Sequence, residues 1–176
     1  MSIDDLFYKD PKFNSEEFIS RANLMVKKIL NSITLNELEK VRHFMSDELY
    51  QKYQNEINHN ISLGRRVIYD EINVNCQLAG GREDDEYYYV NVSCTCKYLK
   101  YALSLASGTL VDGSDNQRLV TAMKILFRRK KGSSREDVAR CLGCGVTLNI
   151  NDNGKCPNCG RVYDLADFDY IIVEMD

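Results

Sequence analysis

The chain has 176 residues and a formal net charge of -3 at pH 7. Hydrophobic residues make up 44% of it and charged residues 28%, which is the composition of an ordinary soluble globular protein. The acidic balance argues against a general binder of nucleic-acid backbones, and no apolar run approaches the roughly 18 residues of a transmembrane helix. The acidic first residues lack the pattern of a secretory signal, so we expect a cytoplasmic protein that could lie peripherally at a membrane.

Three helices are predicted in the first third of the chain. Apolar residues recur there every three or four positions, and each run follows a residue that can cap a helix, namely Asn14, Thr34 and Ser46. The second start has the form of a capping box, Thr34-Leu-Asn-Glu37, and Gly64 is a natural end for the third helix. The residues expected to face the core are Phe18, Ala22, Met25, Ile29, Leu38, Val41, Met45, Leu49, Tyr53, Ile57 and Ile61.

Strands follow, because the apolar period changes from about 3.6 to about 2 beyond the third helix. The predicted strands cover residues 67–78, 87–101, 119–129 and 168–175. In the first of them the even positions are apolar, with Asp70 as the exception. Long strands with one apolar face indicate an antiparallel sheet that is packed on a single side. The sequence therefore predicts an α+β fold in which three helices pack on a curved antiparallel sheet.

Four of the seven cysteines form two C-x-x-C pairs near the end of the chain. Each pair is followed by a glycine, which suits the left-handed backbone of a metal-binding turn. The four ligands are expected to be Cys141, Cys144, Cys156 and Cys159. Four thiolates complete the tetrahedral shell of one Zn²⁺ and leave no position for water or substrate. The sequence therefore predicts one structural zinc per chain, held by a zinc ribbon.

The other three cysteines are Cys76, Cys94 and Cys96, which lie on the apolar faces of predicted strands. Free cysteine in such a position usually acts as a small hydrophobic residue. An odd count with clustered spacing favours a reducing compartment and one metal site over a disulfide framework.

A basic run formed by Arg128, Arg129, Lys130 and Lys131 precedes the ribbon. It could contact phosphates. It could also be a solvated linker that offsets the charge of a four-thiolate centre, and we favour that interpretation because aromatic residues are not interleaved with it.

Few residues are candidates for the lining of a pocket. Tyr88 and Tyr98 could line a cavity, and Asp70 is the one carboxylate on an otherwise apolar strand face. The two histidines, His43 and His59, are expected to be exposed or half-buried on helices. No phosphate-binding glycine loop, nucleophile elbow or paired-carboxylate motif is present, so we expect no enzymatic activity.

Three motifs in the first part of the chain resemble those of one family. They are Asp10-Pro-Lys-Phe13, Ser46-Asp-Glu-Leu-Tyr50 and Gly64-Arg-Arg-Val-Ile68. They resemble the Tim44-like domain, a family named after the tether subunit of the mitochondrial inner-membrane import motor, which also contains many bacterial proteins. The resemblance covers about residues 8–130 and the closing strand from Phe168. It implies a cystatin-like cone, similar to nuclear transport factor two, in which helices and a curved sheet enclose a pocket.

The sequence thus predicts a cone domain over residues 8–130 and 166–176, with the zinc ribbon inserted at 135–165. The resemblance implies a non-enzymatic binding or scaffold domain that holds a protein partner, a membrane surface or an apolar ligand. Two alternatives stay open. One is a small pocket enzyme that uses Asp70, and the other is a nucleic-acid binder that uses the ribbon and its basic flank.

Overall fold

The computed structural model describes residues 1–133, 140–148, 154–167 and 169–176. Over these ranges helices precede an antiparallel sheet with the strand order β1-β2-β3-β4, so the α+β prediction is confirmed. The elements in chain order are α1 (Ile3–Lys9), α2 (Ser15–Leu35), a 3-10 helix (Leu38–Phe44), α3 (Asp47–Ser62), β1 (Arg65–Glu83), β2 (Tyr87–Ser104), β3 (Leu110–Lys130), a 3-10 turn (Leu165–Asp167) and β4 (Ile171–Met175). Phe168, the expected start of the last strand, lies outside the described residues.

Two of the three predicted helix starts are confirmed. The side chain of Asn14 accepts a hydrogen bond from the Glu17 N–H at 3.0 Å, which begins α2. The side chain of Ser46 accepts one from the Leu49 N–H at 3.3 Å, which begins α3. The core lies between these helices and one face of the sheet, and its largest fully buried residues include Tyr170, Phe44, Phe127, Leu6, Ile29, Leu30, Leu38, Ile125, Leu165 and Ile172.

The capping box predicted at Thr34 is wrong, because α2 continues through this residue to Leu35. The Thr34 hydroxyl donates to the Leu30 carbonyl at 3.1 Å and accepts from the Tyr69 N–H of β1 at 2.9 Å. Asn23, also on α2, accepts from the Cys76 N–H at 2.9 Å. Two polar side chains of α2 therefore satisfy backbone donors along the outer edge of β1, which protects that edge from pairing with another chain.

The apolar period does not predict α1, which is only two turns long. Its signal is a capping box in which the Ser2 side chain accepts from the Asp5 N–H and the Asp5 carboxylate accepts from the Ser2 N–H, at 3.1 and 2.8 Å. Leu6 is its buried residue. The helix thus adds one apolar anchor ahead of the first predicted helix.

A β-bulge in β1 changes which residues face the core. The register with β2 shifts between Asp70 and Asn73, and Glu71 has a left-handed backbone with φ of 49°. Tyr69 faces the core before the bulge and Ile72 faces it afterwards. The even position of Asp70 suggested that its carboxylate lies on the apolar face of the sheet. The bulge instead leaves Asp70 exposed on the outer face.

Cys76 and Cys94 form a disulfide, so the expectation that both are free thiols is wrong. They are direct partners across β1 and β2, and opposite residues of an antiparallel pair are the nearest side chains on a sheet. Strand periodicity places both on the inner face, but only the register shows that they meet. Cys96 is a buried free thiol whose pKa is raised by desolvation. Because two of the three cysteines are bonded, the cysteine count no longer argues for a reducing compartment.

Aromatic side chains fill part of the space where the resemblance implied a pocket. The rings of Tyr69 and Tyr98 meet edge to face with centroids 5.2 Å apart, and the Tyr98 hydroxyl bonds to Thr121 at 3.2 Å. The Tyr53 hydroxyl of α3 donates to the Met175 carbonyl of β4 at 3.4 Å. Desolvation raises the pKa of Tyr69 to about 12, with a smaller contribution from Tyr98. Tyr98 is therefore a core residue and not part of an open pocket wall.

Candidate metal centre and docking surfaces

The two C-x-x-C segments fold into nearly identical turns. In each turn the N–H of the first cysteine donates to the carbonyl five residues later at 2.8 Å. The N–H of the glycine after the second cysteine donates back to the first cysteine's carbonyl at 2.9 Å. These glycines, Gly145 and Gly160, have φ of 75° and 74°, a conformation that a side chain would strain. The backbone thus presents both cysteines of each turn to one point.

The four cysteine sulfurs form one cluster in which all Sγ atoms lie within 4.8 Å of one another. The Sγ atoms of Cys141 and Cys159 are 3.7 Å apart, and those of Cys144 and Cys156 are 3.6 Å apart. Four Zn–S bonds of roughly 2.3 Å in a tetrahedron place the sulfurs about 3.8 Å apart. The spacing therefore suits a metal ion with four thiolate ligands.

The surroundings of the sulfurs favour ionisation of some thiols and oppose that of others. Hydrogen bonds from the backbone of Cys144 and Gly143 lower the pKa of Cys141. The Asn158 side chain and then the Val146 backbone lower the pKa of Cys144 to about 6. The Arg161 backbone alone would lower the pKa of Cys159, but desolvation and the neighbouring cysteines outweigh it and raise that pKa to about 11. A bound divalent cation would remove this conflict, because it favours the thiolate form of every ligand.

The ribbon packs against the helical layer through His43 of the 3-10 helix. His43 is only 5% exposed, and its ring centroid lies 5.6 Å from that of Tyr163 in the ribbon. A Cβ atom on Gly154 would lie 2.8 Å from the His43 Nδ1. Leu165, the last residue of the ribbon segment, is fully buried in the main core. The expectation of an exposed or half-buried His43 is therefore wrong, because the ribbon covers it.

Two buried ion pairs join the segment before α2, the end of β3 and the residues before β4. The Asp10 carboxylate lies 3.2 Å from Arg129 Nη1 and accepts a hydrogen bond from the Tyr170 hydroxyl at 3.3 Å. Arg21 of α2 lies 2.5 Å from Asp169. Both carboxylates are 2% exposed. Arg129 therefore belongs to the interior of the protein and is not available to contact phosphates.

The other members of the basic run differ in their surroundings. The Arg128 guanidinium lies over the Tyr87 ring at 4.5 Å from its centroid. Lys131 forms an ion pair with Glu83 at 2.8 Å. Lys130 is exposed. The four residues consequently do not form one continuous cationic surface.

The predicted pocket residues do not come together either. The exposed Asp70 accepts from the Glu71 N–H at 2.8 Å. The Tyr88 hydroxyl donates to the Lys9 carbonyl at 3.2 Å, at the opposite end of the sheet from the bulge. Tyr98 is in the core. The structure thus separates the three side chains that sequence reasoning grouped as candidates for one pocket.

Sequence reasoning missed a surface that we name the apolar end. It is formed where α2 and α3 end, β1 begins and β2 turns into β3. Its exposed large apolar residues are Leu35, Ile61, Leu63, Leu105, Leu110 and Val111. A cleft of about 90 Å³ opens beside them, and Arg65 and Arg66 are among its lining residues. The signal in the sequence that could have indicated this surface is the group of leucines and a valine around the turn from β2 to β3, since exposed turns are usually polar.

Comparison with known proteins identifies one family. The model of the Tim44-like domain matches residues 2–137, which is more than half of the chain. A search of curated proteins finds no match. Within the described residues, no helix combines the length and apolar character that crossing a bilayer requires.

Proposed function

This chain belongs to the Tim44-like domain family, and from that premise we propose that it is a non-catalytic binding domain whose docking surface is the apolar end. The family supports a binding or scaffold role in general. The cysteine cluster, loaded with one zinc ion, would act as a structural brace that holds the ribbon against the helical layer.

The observation that carries this proposal is the exposure of the apolar end. Leu35, Leu63 and Leu105 are 61%, 55% and 53% exposed, and they lie at the end of α2, in the link from α3 to β1 and in the turn from β2 to β3. Contiguous exposed apolar surface commonly marks a contact with a protein or a membrane. Covering one such leucine completely would contribute roughly 1 kcal/mol, since full burial of the side chain is worth about 1.5–3 kcal/mol. Several leucines together therefore supply a useful driving force for docking.

An anionic membrane surface is the occupant that these residues support best. The cleft of about 90 Å³ is too small for an acyl chain, so the leucines favour an extended apolar layer over a small enclosed ligand. The exposed Arg66 lies beside them, and so does the half-buried Arg65, which donates to the Asn60 side chain at 2.8 Å and lies 3.8 Å from the Asp112 carboxylate. Basic residues next to exposed apolar side chains are typical of segments that insert shallowly into anionic leaflets. The other candidate occupant is a protein partner with an apolar surface, which is also consistent with the binding role of the family.

The two alternative functions have less support. The enzyme hypothesis depended on Asp70 in a pocket, and this side chain is exposed on the outer face of the sheet. The nucleic-acid hypothesis depended on the basic run, of which Arg129 is buried in an ion pair with Asp10.

Vesicle flotation tests the proposal. Wild-type protein is expected to float with vesicles of phosphatidylcholine and phosphatidylglycerol, and to do so less with phosphatidylcholine alone. Leu63→Asn combined with Leu105→Asn should abolish flotation. The matched control is Val120→Asn, because Val120 is 67% exposed but lies on the outer face of the sheet. Equal loss in the control, or flotation that survives the double substitution, would contradict docking through the apolar end.

A further inference from the structure

The ribbon carries a second cleft, which we name the ribbon cleft. It has a volume of about 190 Å³ and lies between the first metal-binding turn and the residues after the second. Leu142 and Val162 at its edge are 66% and 70% exposed, while Leu148 within it is buried. A cavity of roughly 150 Å³ can hold a group the size of benzene. The ribbon cleft is therefore large enough for one aliphatic side chain of a ligand.

Two arginines line the ribbon cleft, Arg140 and Arg161. Within the described part of the chain, neither guanidinium makes a hydrogen bond or an ion pair. The arginines of the buried pairs, Arg21 and Arg129, contrast with them because each faces a carboxylate. The ribbon cleft thus combines apolar walls with two planar cations that pair with no carboxylate among the described residues.

Arg161 is held in place by the first metal-binding turn. A Cβ atom on Gly143 would lie 3.1 Å from the Arg161 Cδ and 3.6 Å from its Nη1. The Arg161 side chain therefore packs closely against the backbone of Gly143, which has no side chain of its own. The acidic residue in the lining, Asp164, is engaged in the following 3-10 turn, where its carboxylate accepts the Ala166 N–H at 2.9 Å. The two guanidiniums are therefore the groups of this lining that can pair with a carboxylate of a ligand.

We propose that the ribbon cleft binds a short segment of a partner protein in which an aliphatic side chain stands next to a carboxylate. The aliphatic group enters the apolar cleft, and the carboxylate pairs with Arg161 or Arg140. A guanidinium suits this task because it can form two parallel hydrogen bonds with a carboxylate. Binding to a phosphate backbone would instead require a row of cations and, for single strands, aromatic platforms, and here the exposed edge is formed by Leu142 and Val162.

This proposal does not rest on docking through the apolar end, since the two surfaces share no residue. It does require that both metal-binding turns are folded. The test therefore uses the full chain loaded with zinc, and the zinc content of every variant is measured first.

Fluorescence anisotropy with labelled pentapeptides tests the ribbon cleft. The probe has one leucine between two acidic residues, and its two controls replace either the leucine by serine or both acids by their amides. We expect the probe to bind at least about tenfold more tightly than either control, because each loses one of the two kinds of contact. Arg161→Gln and Leu142→Ser should each weaken binding roughly five- to tenfold while retaining zinc.

The matched control is Arg82→Gln, which removes another exposed arginine, near the end of β1 and outside both surfaces, and should bind the probe as the wild type does. The proposal is overturned if the amide control binds as well as the probe, or if the probe does not bind. It is also overturned if a single-stranded oligonucleotide binds more tightly than the probe and loses affinity in Arg161→Gln, because the surface would then recognise phosphate.

Discussion

The Asp10 carboxylate and the Arg129 guanidinium form an ion pair of 3.2 Å in the interior of the protein, between the segment before α2 and the end of β3. Asp10 begins the Asp-Pro-Lys-Phe motif through which the sequence resembles its family. Phe13, at the end of that motif, packs edge to face on Tyr170, whose hydroxyl donates to Asp10. The motif therefore holds the segment before α2 against the end of β3 and the residue that precedes β4.

Asp10→Ala is expected to lower the free energy of unfolding by about 3–5 kcal/mol, because it leaves Arg129 buried without its carboxylate. Urea denaturation measures the loss. Lys131→Ala, which breaks the more exposed pair with Glu83, should cost less than about 1 kcal/mol. Replacing both partners by apolar residues, Asp10→Leu with Arg129→Met, should restore most of the stability. A similar loss in Asp10→Ala and Lys131→Ala would show that the pair at Asp10 is not buried in solution.

Gly154→Ala is expected to loosen the ribbon from the helical layer. The new Cβ would lie 2.8 Å from the His43 Nδ1 and would also meet a φ of 79° that disfavours side chains. Gly108→Ala is the matched control, because Gly108 has a φ of 69° with open space around it. We expect Gly154→Ala to destabilise the protein by roughly 1–3 kcal/mol more than the control does. Equal effects would mean that the ribbon does not pack on His43.

Native mass spectrometry should find one zinc ion per chain. Removal of the metal by a chelator should raise hydrogen exchange in residues 140–148 and 154–165 and in the 3-10 helix Leu38–Phe44, which the ribbon covers through His43. The exchange of α2 and β2 should change little, because their contacts lie in the main core. Absence of zinc, or a uniform rise in exchange along the chain, would contradict a locally acting structural metal.

The stability of the protein should fall at alkaline pH. Desolvation raises the pKa of Tyr69 to about 12 from the model-peptide value of 10.0, so the fold favours the neutral phenol. The stabilisation is complete below the unfolded pKa and is lost as the pH rises from about 10 to about 12. Thermal unfolding over this range should show the decline, and Tyr69→Phe should reduce its slope. An unchanged slope in Tyr69→Phe would assign the decline to other groups.

The features that could be predicted from the sequence are those that depend on residues close together along the chain. The caps at Asn14 and Ser46 and the two cysteine turns are local patterns, so they could be identified without the fold. The bulge at Glu71 could not, because it depends on how β1 curves against α2. It inverted the expected orientation of Asp70.

Contacts between segments that are distant along the chain could not be predicted from the sequence either. Cys76 meets Cys94 only in the observed register of β1 and β2, and Arg129 meets Asp10 only when β3 reaches the segment before α2. The apolar end likewise joins residues from two helix termini and a strand turn. Each of these features depends on tertiary packing, which a periodic pattern does not specify.

A single introduced tryptophan tests docking through the apolar end most directly, since the chain contains no tryptophan of its own. Leu105→Trp places the probe at the apolar end, and Val120→Trp places it on the outer face of the sheet at a similarly exposed position. On addition of phosphatidylglycerol vesicles, the emission of Leu105→Trp should shift to shorter wavelength, because the indole enters the interface. The emission of Val120→Trp should stay unchanged. A shift in Val120→Trp alone, or equal shifts in both proteins, would contradict the proposed docking surface.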